Sequence, residues 1–131
     1  MCLVRFRSMT AVFHAYPGCS TCRNARRWLD DHGLAYREIN IAETPPSAED
    51  LRSIRKRAGV PLRRLFNTSG QLYREGNYAA RLPAMDDDAA IAELAAHGML
   101  IRRPLLTLGE LAVVGFKPEA YAAALAASKR R

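Results

Sequence analysis

Two cysteines are the residues of this sequence whose type and spacing could do chemistry. Cys19 and Cys22 lie in the stretch Y-P-G-C-S-T-C-R, behind a Pro-Gly turn and directly before Arg23. A Cys-x-x-Cys pair can be a redox-active dithiol, half of a metal site, or two buried structural thiols. Each of these readings makes a different demand on the rest of the chain.

A zinc site usually needs four ligands, and the sequence offers few besides this pair. The other soft ligands are Cys2, His14, His32 and His97, and none of them forms a second Cys-x-x-Cys or a His-x-His pair. We therefore expect no metal site and interpret the pair as redox-active. Two inert structural thiols remain the alternative.

The predicted position of the pair on a helix favours thiolate chemistry. Residues 20–32 have a helical pattern, with Cys22, Ala25, Leu29 and His32 recurring at three- and four-residue spacing. Cys19 then lies at the helix N-terminus, where unpaired N–H groups and the helix dipole favour a negative charge. Arg23, one turn along, adds to this effect and would lower the pKa of Cys19. Cys22 is placed to resolve a mixed disulfide formed on Cys19.

A second basic segment, Arg102-Arg103-Pro104, comes directly before a predicted strand. In a thioredoxin-like layout this segment returns beside the first helix, and Pro104 is a candidate for a cis peptide bond. Arg103 could pair with a thiolate or hold an oxyanion in a bidentate grip. Lys117, just before the last predicted helix, is a weaker candidate for anion binding. Exposure to solvent is the alternative for all three basic residues.

The elements around these residues predict the fold class. Strands are expected at 10–16 and 34–41 on either side of the first helix, which ends at Gly33. Residues 45–98 appear as a helical insertion, with one helix from the Ser47 cap to about Ala58 and another opening at residues 86–88. A hairpin at 105–108 and 111–114 and a helix over 118–127 complete the chain. The order β-α-β, helical insertion, β-β-α predicts an α/β protein with a thioredoxin-like fold.

The composition indicates the broad class of the protein, its cellular compartment and its kinds of partner. The chain has 131 residues, of which 49% are hydrophobic, and a formal charge of +7. We expect one domain over 9–131, preceded by a possible N-terminal extension over residues 1–8. There is no signal peptide or apolar run of bilayer length, so we expect a cytoplasmic protein with no membrane partner, where thiols stay reduced. The charge is compatible with an anionic partner, but the basic residues form no long block, and we expect no direct reading of nucleic acid.

Four stretches carry a resemblance to a known family. They are C-S-T-C-R-N-A-R-R-W-L, P-L-R-R-L-F-N-T-S-G, G-M-L-I-R-R-P-L and V-G-F-K-P-E. With them the chain resembles the arsenate reductase-like family of ArsC, Spx, MgsR and YffB-type proteins, most closely its Spx/MgsR-like branch. The resemblance implies a thioredoxin fold with a helical insertion, matching the order of elements above.

The family also implies roles for single residues. Cys19 matches the nucleophile of the glutathione-dependent arsenate reductases, and Arg103 matches one of their three oxyanion-binding arginines. The other two arginine positions hold Asn67 and Lys117, and Cys22 stands where those enzymes have serine. These differences argue against arsenate as the substrate. Arg23 and Asn24 match the motif beside the nucleophile.

Three functions remain open on this evidence. One is a thiol-disulfide oxidoreductase without a bound cofactor, using glutathione as co-substrate or thioredoxin or glutaredoxin as reductant. Another, implied by the Spx/MgsR resemblance, is a redox-sensing transcriptional regulator that binds the RNA polymerase α subunit. The third is a relative that shares the fold but does not use the motif.

Overall fold

The computed structural model describes residues 11–129, so the predicted extension at 1–8 lies outside the described residues. The chain divides into two compact units. Of the described residues, 11–39 and 103–129 form one unit, and Asn40–Arg102 form the other. Within residues 11–129, the helices are too short or too polar to span a membrane.

The first unit contains a four-stranded sheet. Its strands are β1 (Ala11–Ala15), β2 (Tyr36–Asn40), β3 (Leu105–Leu108) and β4 (Leu111–Val114), in the spatial order β2-β1-β3-β4. β3 runs antiparallel to both β1 and β4, with Phe13 opposite Leu106 and Leu106 opposite Val113. All four residues of β3 are buried, as expected for a central strand rich in leucine.

Helix α1 (Ser20–Asp31) packs an apolar stripe onto this sheet. Cys22, Ala25 and Leu29 are buried at helical spacing and join Phe13 and Leu106 in one core cluster. Arg26 donates to Glu38 of β2 at 2.9 Å, which ties the helix to the sheet edge. The position of the cysteine pair is therefore fixed by the packing of α1.

The C-terminus of α1 corrects one sequence prediction. Gly33 has a φ of +67°, and its N–H donates to Asp30 while the N–H of Leu34 donates to Leu29, which together form a Schellman motif. His32, which the spacing placed on the apolar side, is exposed. Because the helix ends there, its ring turns back and stacks on Trp28 at 3.7 Å between ring centroids.

The first unit ends with helix α6 (Pro118–Lys129), which packs against β4 and β3. Gly109, with a φ of +60°, lies in the turn between β3 and β4. Tyr121 and Ala124 of α6 are buried, and Phe116 and Leu125 pack against the same core. The hairpin strands agree with the predicted bounds, and the helix extends two residues beyond the prediction.

The second unit is helical after the end of β2. Its α-helices are α2 (Ala48–Ala58), α3 (Gln71–Glu75), α4 (Tyr78–Arg81) and α5 (Asp87–Ala96), with short 3-10 helices at Leu62–Leu65, Leu82–Ala84 and Gly98–Leu100. Ser47 caps α2 by accepting from the N–H of Asp50 at 3.0 Å, and Gly59 ends it in the left-handed conformation. Both ends agree with the sequence prediction. Helices α3 and α4 were not predicted.

Candidate active site

Cys19 is the N-cap residue of α1. Its backbone is extended (φ −97°, ψ 121°), and its Sγ accepts a hydrogen bond from the N–H of Cys22 at 3.4 Å. Side chains at an N-cap normally satisfy one of the unpaired N–H groups of the first turn, and here the sulfur does so. A thiolate at this position also faces the positive end of the helix dipole. The side chain is half-buried, so it remains open to a reaction partner.

The electrostatics around Cys19 favour its ionised form. Burial acts to raise the pKa of Cys19, but hydrogen bonds from the Cys22 thiol and N–H and from Arg103 outweigh it. The positive charge of Arg103 adds to them. The pKa of Cys19 therefore lies below the ordinary value of a cysteine, which is the condition for a reactive thiolate near neutral pH.

Cys22 has the opposite character. Its side chain is fully buried, and burial raises its pKa to about 12, with a further contribution from the neighbouring Cys19. A neutral Cys22 thiol can donate a hydrogen bond to the Cys19 thiolate, whereas a thiolate at Cys22 could not. The two cysteines are thus differentiated into an accessible thiolate and a buried thiol.

Arg103 contributes the positive charge beside Cys19. The side chain is half-buried, and its guanidinium lies over the ring of Tyr16, with Cζ 5.6 Å from the ring centroid. An aromatic face holds a guanidinium in place without neutralising its charge. The sequence did not single out Tyr16, although its position directly before the Pro-Gly turn places an aromatic ring next to the pair.

The backbone directly after Arg103 has a defined conformation. The Arg103–Pro104 peptide bond is cis, the isomer considered for Pro104 on sequence grounds, and Pro104 is buried. The Pro104 carbonyl accepts a hydrogen bond from the N–H of Gly115 at 2.8 Å. This bond joins the start of β3 to the end of β4, so that Arg103 extends from an ordered part of the sheet.

The remaining predicted anion-binding residues have different surroundings. Arg23 lies on the exposed side of α1, and the groups that most strongly lower the pKa of Cys19 are Cys22 and Arg103. The predicted effect of Arg23 on the thiolate stays a prediction. Lys117 is exposed, and its carbonyl accepts from the N–H groups of Ala120 and Tyr121 at the start of α6. Asn67 belongs to the second unit, where its N–H donates to the carbonyl of Leu100. Anion binding by Arg23 and Lys117 stays a prediction.

Within residues 11–129, no group of three or more His, Cys, Asp or Glu side chains is arranged to hold a metal ion. One sulfur of the pair lies at an N-cap and the other inside the core. An accessible sulfur beside a buried one can support thiol-disulfide exchange.

Comparison with known proteins places the chain in a family. The model of the ArsC family matches residues 14–124. The chain belongs to the ArsC family. The fold class predicted from the order of elements, a thioredoxin-like α/β fold with a helical insertion, is confirmed by solved structures of this family. An ArsC family related protein from Bacteroides fragilis matches with a TM-score of 0.85 and 37% identity, over 88% of this chain and 98% of that one.

The relatives include both enzymes and regulators. YusI of Bacillus subtilis is 47% identical over 113 residues, which cover 86% of this chain and 96% of YusI. Regulatory protein MgsR of the same organism is 26% identical over 107 residues, covering 82% of this chain and 83% of MgsR. The arsenate reductase structure from Vibrio cholerae matches with a TM-score of 0.79 and 31% identity, over 88% of this chain and 97% of that one. The family assignment is therefore consistent with a thiol redox protein, as the cysteine geometry indicates.

Proposed function

We propose that the protein is a thiol-disulfide oxidoreductase in which Cys19 is the nucleophile and Cys22 the resolving thiol. The observation that supports this most strongly is the contrast between the two sulfurs. Cys19, half-buried at the N-cap, has a lowered pKa, while the pKa of buried Cys22 is raised to about 12. Only one of the two thiols is ready to attack an external substrate near neutral pH.

The reaction takes place in two exchanges. The Cys19 thiolate attacks one sulfur of a substrate disulfide, forming a Cys19–substrate disulfide and releasing the other substrate sulfur as a thiolate. Cys22 then loses its proton and attacks the Cys19 sulfur, forming the Cys19–Cys22 disulfide and releasing the second substrate thiolate. Glutathione, or the dithiol of thioredoxin or glutaredoxin, supplies the two electrons that restore the pair.

Arg103 has two roles in this scheme. Its positive charge stabilises the Cys19 thiolate before the attack, and its guanidinium can bind an anionic group of the substrate. The carboxylates of glutathione fit this requirement. Arsenate would have to be bound with one arginine of the family's three, since Asn67 and Lys117 occupy the other two positions.

The proposal is tested by trapping the intermediate with oxidised glutathione. In a Cys22→Ser variant, mass spectrometry should find a glutathione adduct on Cys19 that persists, because no thiol is left to displace it. Wild-type protein should release that glutathione and gain an intramolecular disulfide, and Cys19→Ser should form neither product. An adduct on Cys22, or no adduct in Cys22→Ser, would contradict the proposal.

The similarity to MgsR favours one second candidate. In this reading the same pair is a redox sensor, and its oxidation changes binding to the RNA polymerase α subunit. Binding of the purified α C-terminal domain to reduced and oxidised protein separates the two functions. Binding that depends on the oxidation state favours the regulator, whereas catalytic turnover of glutathione disulfide with a thioredoxin dithiol as reductant, without such binding, favours the enzyme.

A further inference from the structure

Tyr16 is an aromatic residue of the site that the scheme above does not use. Its side chain is half-buried, and its ring lies against the guanidinium of Arg103, whose Cζ is 5.6 Å from the ring centroid. A guanidinium within about 6 Å of an aromatic face is attracted by the ring. Both residues belong to the unit that contains the sheet. The contact therefore links the basic residue of the site to the chain directly before the cysteine pair.

Tyr16 is also joined to Cys19 through the backbone. The N–H of Cys19 donates to the carbonyl of Tyr16 at 3.1 Å. This bond closes a four-residue turn with Pro17 and Gly18 at its centre, and proline is favoured at the first central position because its φ is already fixed. The ring of Tyr16 and the sulfur of Cys19 are therefore positioned by one short segment of the chain.

Gly18 leaves room for the ring of Tyr16. A Cβ at this position would lie 3.1 Å from Cε2 of Tyr16, which is closer than a Cβ normally approaches another side chain. Gly18 does not have a positive φ, so its backbone conformation does not itself require glycine. The space that the missing side chain leaves at Gly18 is therefore used by the aromatic ring that contacts Arg103.

Arg103 can act on Cys19 only while its guanidinium is held in place. An arginine side chain has many rotamers, and confining it to one of them costs conformational entropy. The attraction of the Tyr16 ring offsets part of that cost. The groups that stabilise the Cys19 thiolate are Cys22 on α1 and Arg103 before β3, and Tyr16 contacts the second of them. Removing the ring should therefore weaken the effect of Arg103 on the thiolate.

We propose that Tyr16 is a positioning residue for the first exchange, because its ring holds the Arg103 guanidinium beside the turn that carries the nucleophile Cys19. The inference rests on the proposed function, since it concerns the attack of Cys19 on a disulfide. Tyr16 acts through Arg103 and neither gains nor loses a proton. The Cys19 thiolate forms a bond to one sulfur of the substrate, and the electron pair of the broken disulfide leaves with the other sulfur.

The test compares Tyr16→Leu with wild type, using dithiodipyridine as a neutral disulfide in a Cys2→Ser background. The first release of pyridine thione reports the attack of Cys19, and its rate is followed against pH. Tyr16→Leu should move the inflection of this rate to higher pH by about half a pH unit, as expected for the loss of a cation–π contact between half-buried groups. Below the inflection of both proteins the rate should fall about two-fold, since the less acidic thiol gives a better nucleophile.

Tyr16→Phe is the matched control. Phenylalanine keeps the aromatic face and removes only the hydroxyl, so the rate and its inflection should stay as in wild type. The second control places Tyr16→Leu in an Arg103→Met background. There the leucine substitution should leave the rate and its inflection unchanged, because no guanidinium remains for the ring to hold. Thermal unfolding of each variant checks that it is folded.

A shifted inflection in Tyr16→Leu that is absent in Tyr16→Phe, and absent without Arg103, supports the inference. Equal inflections in Tyr16→Leu and wild type overturn it, as does an equal shift in Tyr16→Phe. The same shift with and without Arg103 also overturns it, since Tyr16 would then act on Cys19 through the turn, and so does a rate that falls by one factor at every pH. Failure of the proposed function gives a different result, because Cys19→Ser would then keep the first release.

Discussion

Replacing Arg103 with methionine removes the charge beside Cys19 while keeping a long side chain over Tyr16. Hydrogen bonds to charged groups contribute about 1.5–3 kcal/mol. Because Cys19 and Arg103 are both only half-buried, solvent screens the pair and the lower end applies, about 1.5 kcal/mol. That corresponds to roughly a ten-fold smaller fraction of thiolate below the pKa.

The rate at which Cys19 attacks a disulfide should fall by less than ten-fold. A thiolate of higher pKa is a better nucleophile, and with a Brønsted coefficient of about 0.4–0.5 the gain is roughly three-fold. The first release of thione from dithiodipyridine should thus be about three-fold slower in Arg103→Met at pH values below the Cys19 pKa of both proteins. At high pH, where both proteins are ionised, it should be about three-fold faster. A neutral reagent keeps the charge of Arg103 from acting on the substrate.

Arg27→Met serves as the control, because Arg27 is an exposed arginine on the same helix. Arg27→Met should leave the rate of the first thione release unchanged at every pH. A rate in Arg103→Met that is unchanged at every pH would refute the reasoning, since Arg103 would then not stabilise the thiolate. A uniform fall at all pH values would also refute it, because this would indicate a distorted site rather than a changed pKa.

Two further predictions concern stability. The pKa of Cys22 is about 12 in the folded protein and about 8.5 in the unfolded chain. Folding is therefore favoured fully below the unfolded pKa, and this contribution to stability is lost as the pH rises toward the folded pKa. In urea unfolding, the free energy of unfolding of wild type should fall more steeply with pH above about pH 8.5 than that of Cys22→Ala. Equal slopes of this free energy against pH would contradict the burial of the Cys22 thiol. Gly98→Ala should destabilise the second unit by about 1–3 kcal/mol, because a Cβ there would lie 2.0 Å from the carbonyl oxygen of Ile41. Gly70→Ala is the control, because the Cβ there would meet mainly the side chain of Asn67, which can move. In thermal unfolding it should lose less stability than Gly98→Ala. Equal losses of stability would show that the backbone contact of Gly98 is not the cause.

The sequence predicts the elements whose ends carry their own signals. Ser47 and Gly59 mark the two ends of α2, Gly33 marks the end of α1, and the turn at Gly109 separates β3 from β4. Each of these signals acts locally, through a cap or a left-handed backbone, so it can be read without knowing the rest of the structure. Such elements were predicted to within one or two residues.

The short helices α3 and α4 have no comparable signal. They are five and four residues long, too short to show a helical period, and neither has a side-chain cap. Tyr73 and Tyr78 instead pack against Phe66, at 6.3 and 5.8 Å between ring centroids. These helices depend on packing against Phe66, outside either helix, which the local helical pattern does not reveal.

The candidate site can be predicted from the sequence only where a local signal positions a residue. The N-cap position of Cys19 follows from the helix pattern alone. The contact of Arg103 with the ring of Tyr16 joins residues that are 87 positions apart in the sequence, so no local pattern predicts it. Cys19 is an N-cap, so its sulfur lies at the N-terminus of the helix, where it accepts from the N–H of Cys22.

The central claim is that Cys19 is the nucleophile and ionises at a lower pH than a free cysteine, and the rate of alkylation against pH tests it most directly. The measurement uses iodoacetamide under reducing conditions, in a Cys2→Ser background that leaves the two site cysteines as the thiols. We predict an inflection well below that of a free cysteine, about 8.5, which persists in Cys22→Ser and disappears in Cys19→Ser. An inflection at or above the free value, or one that disappears only in Cys22→Ser, would contradict the assignment of Cys19 as the nucleophile.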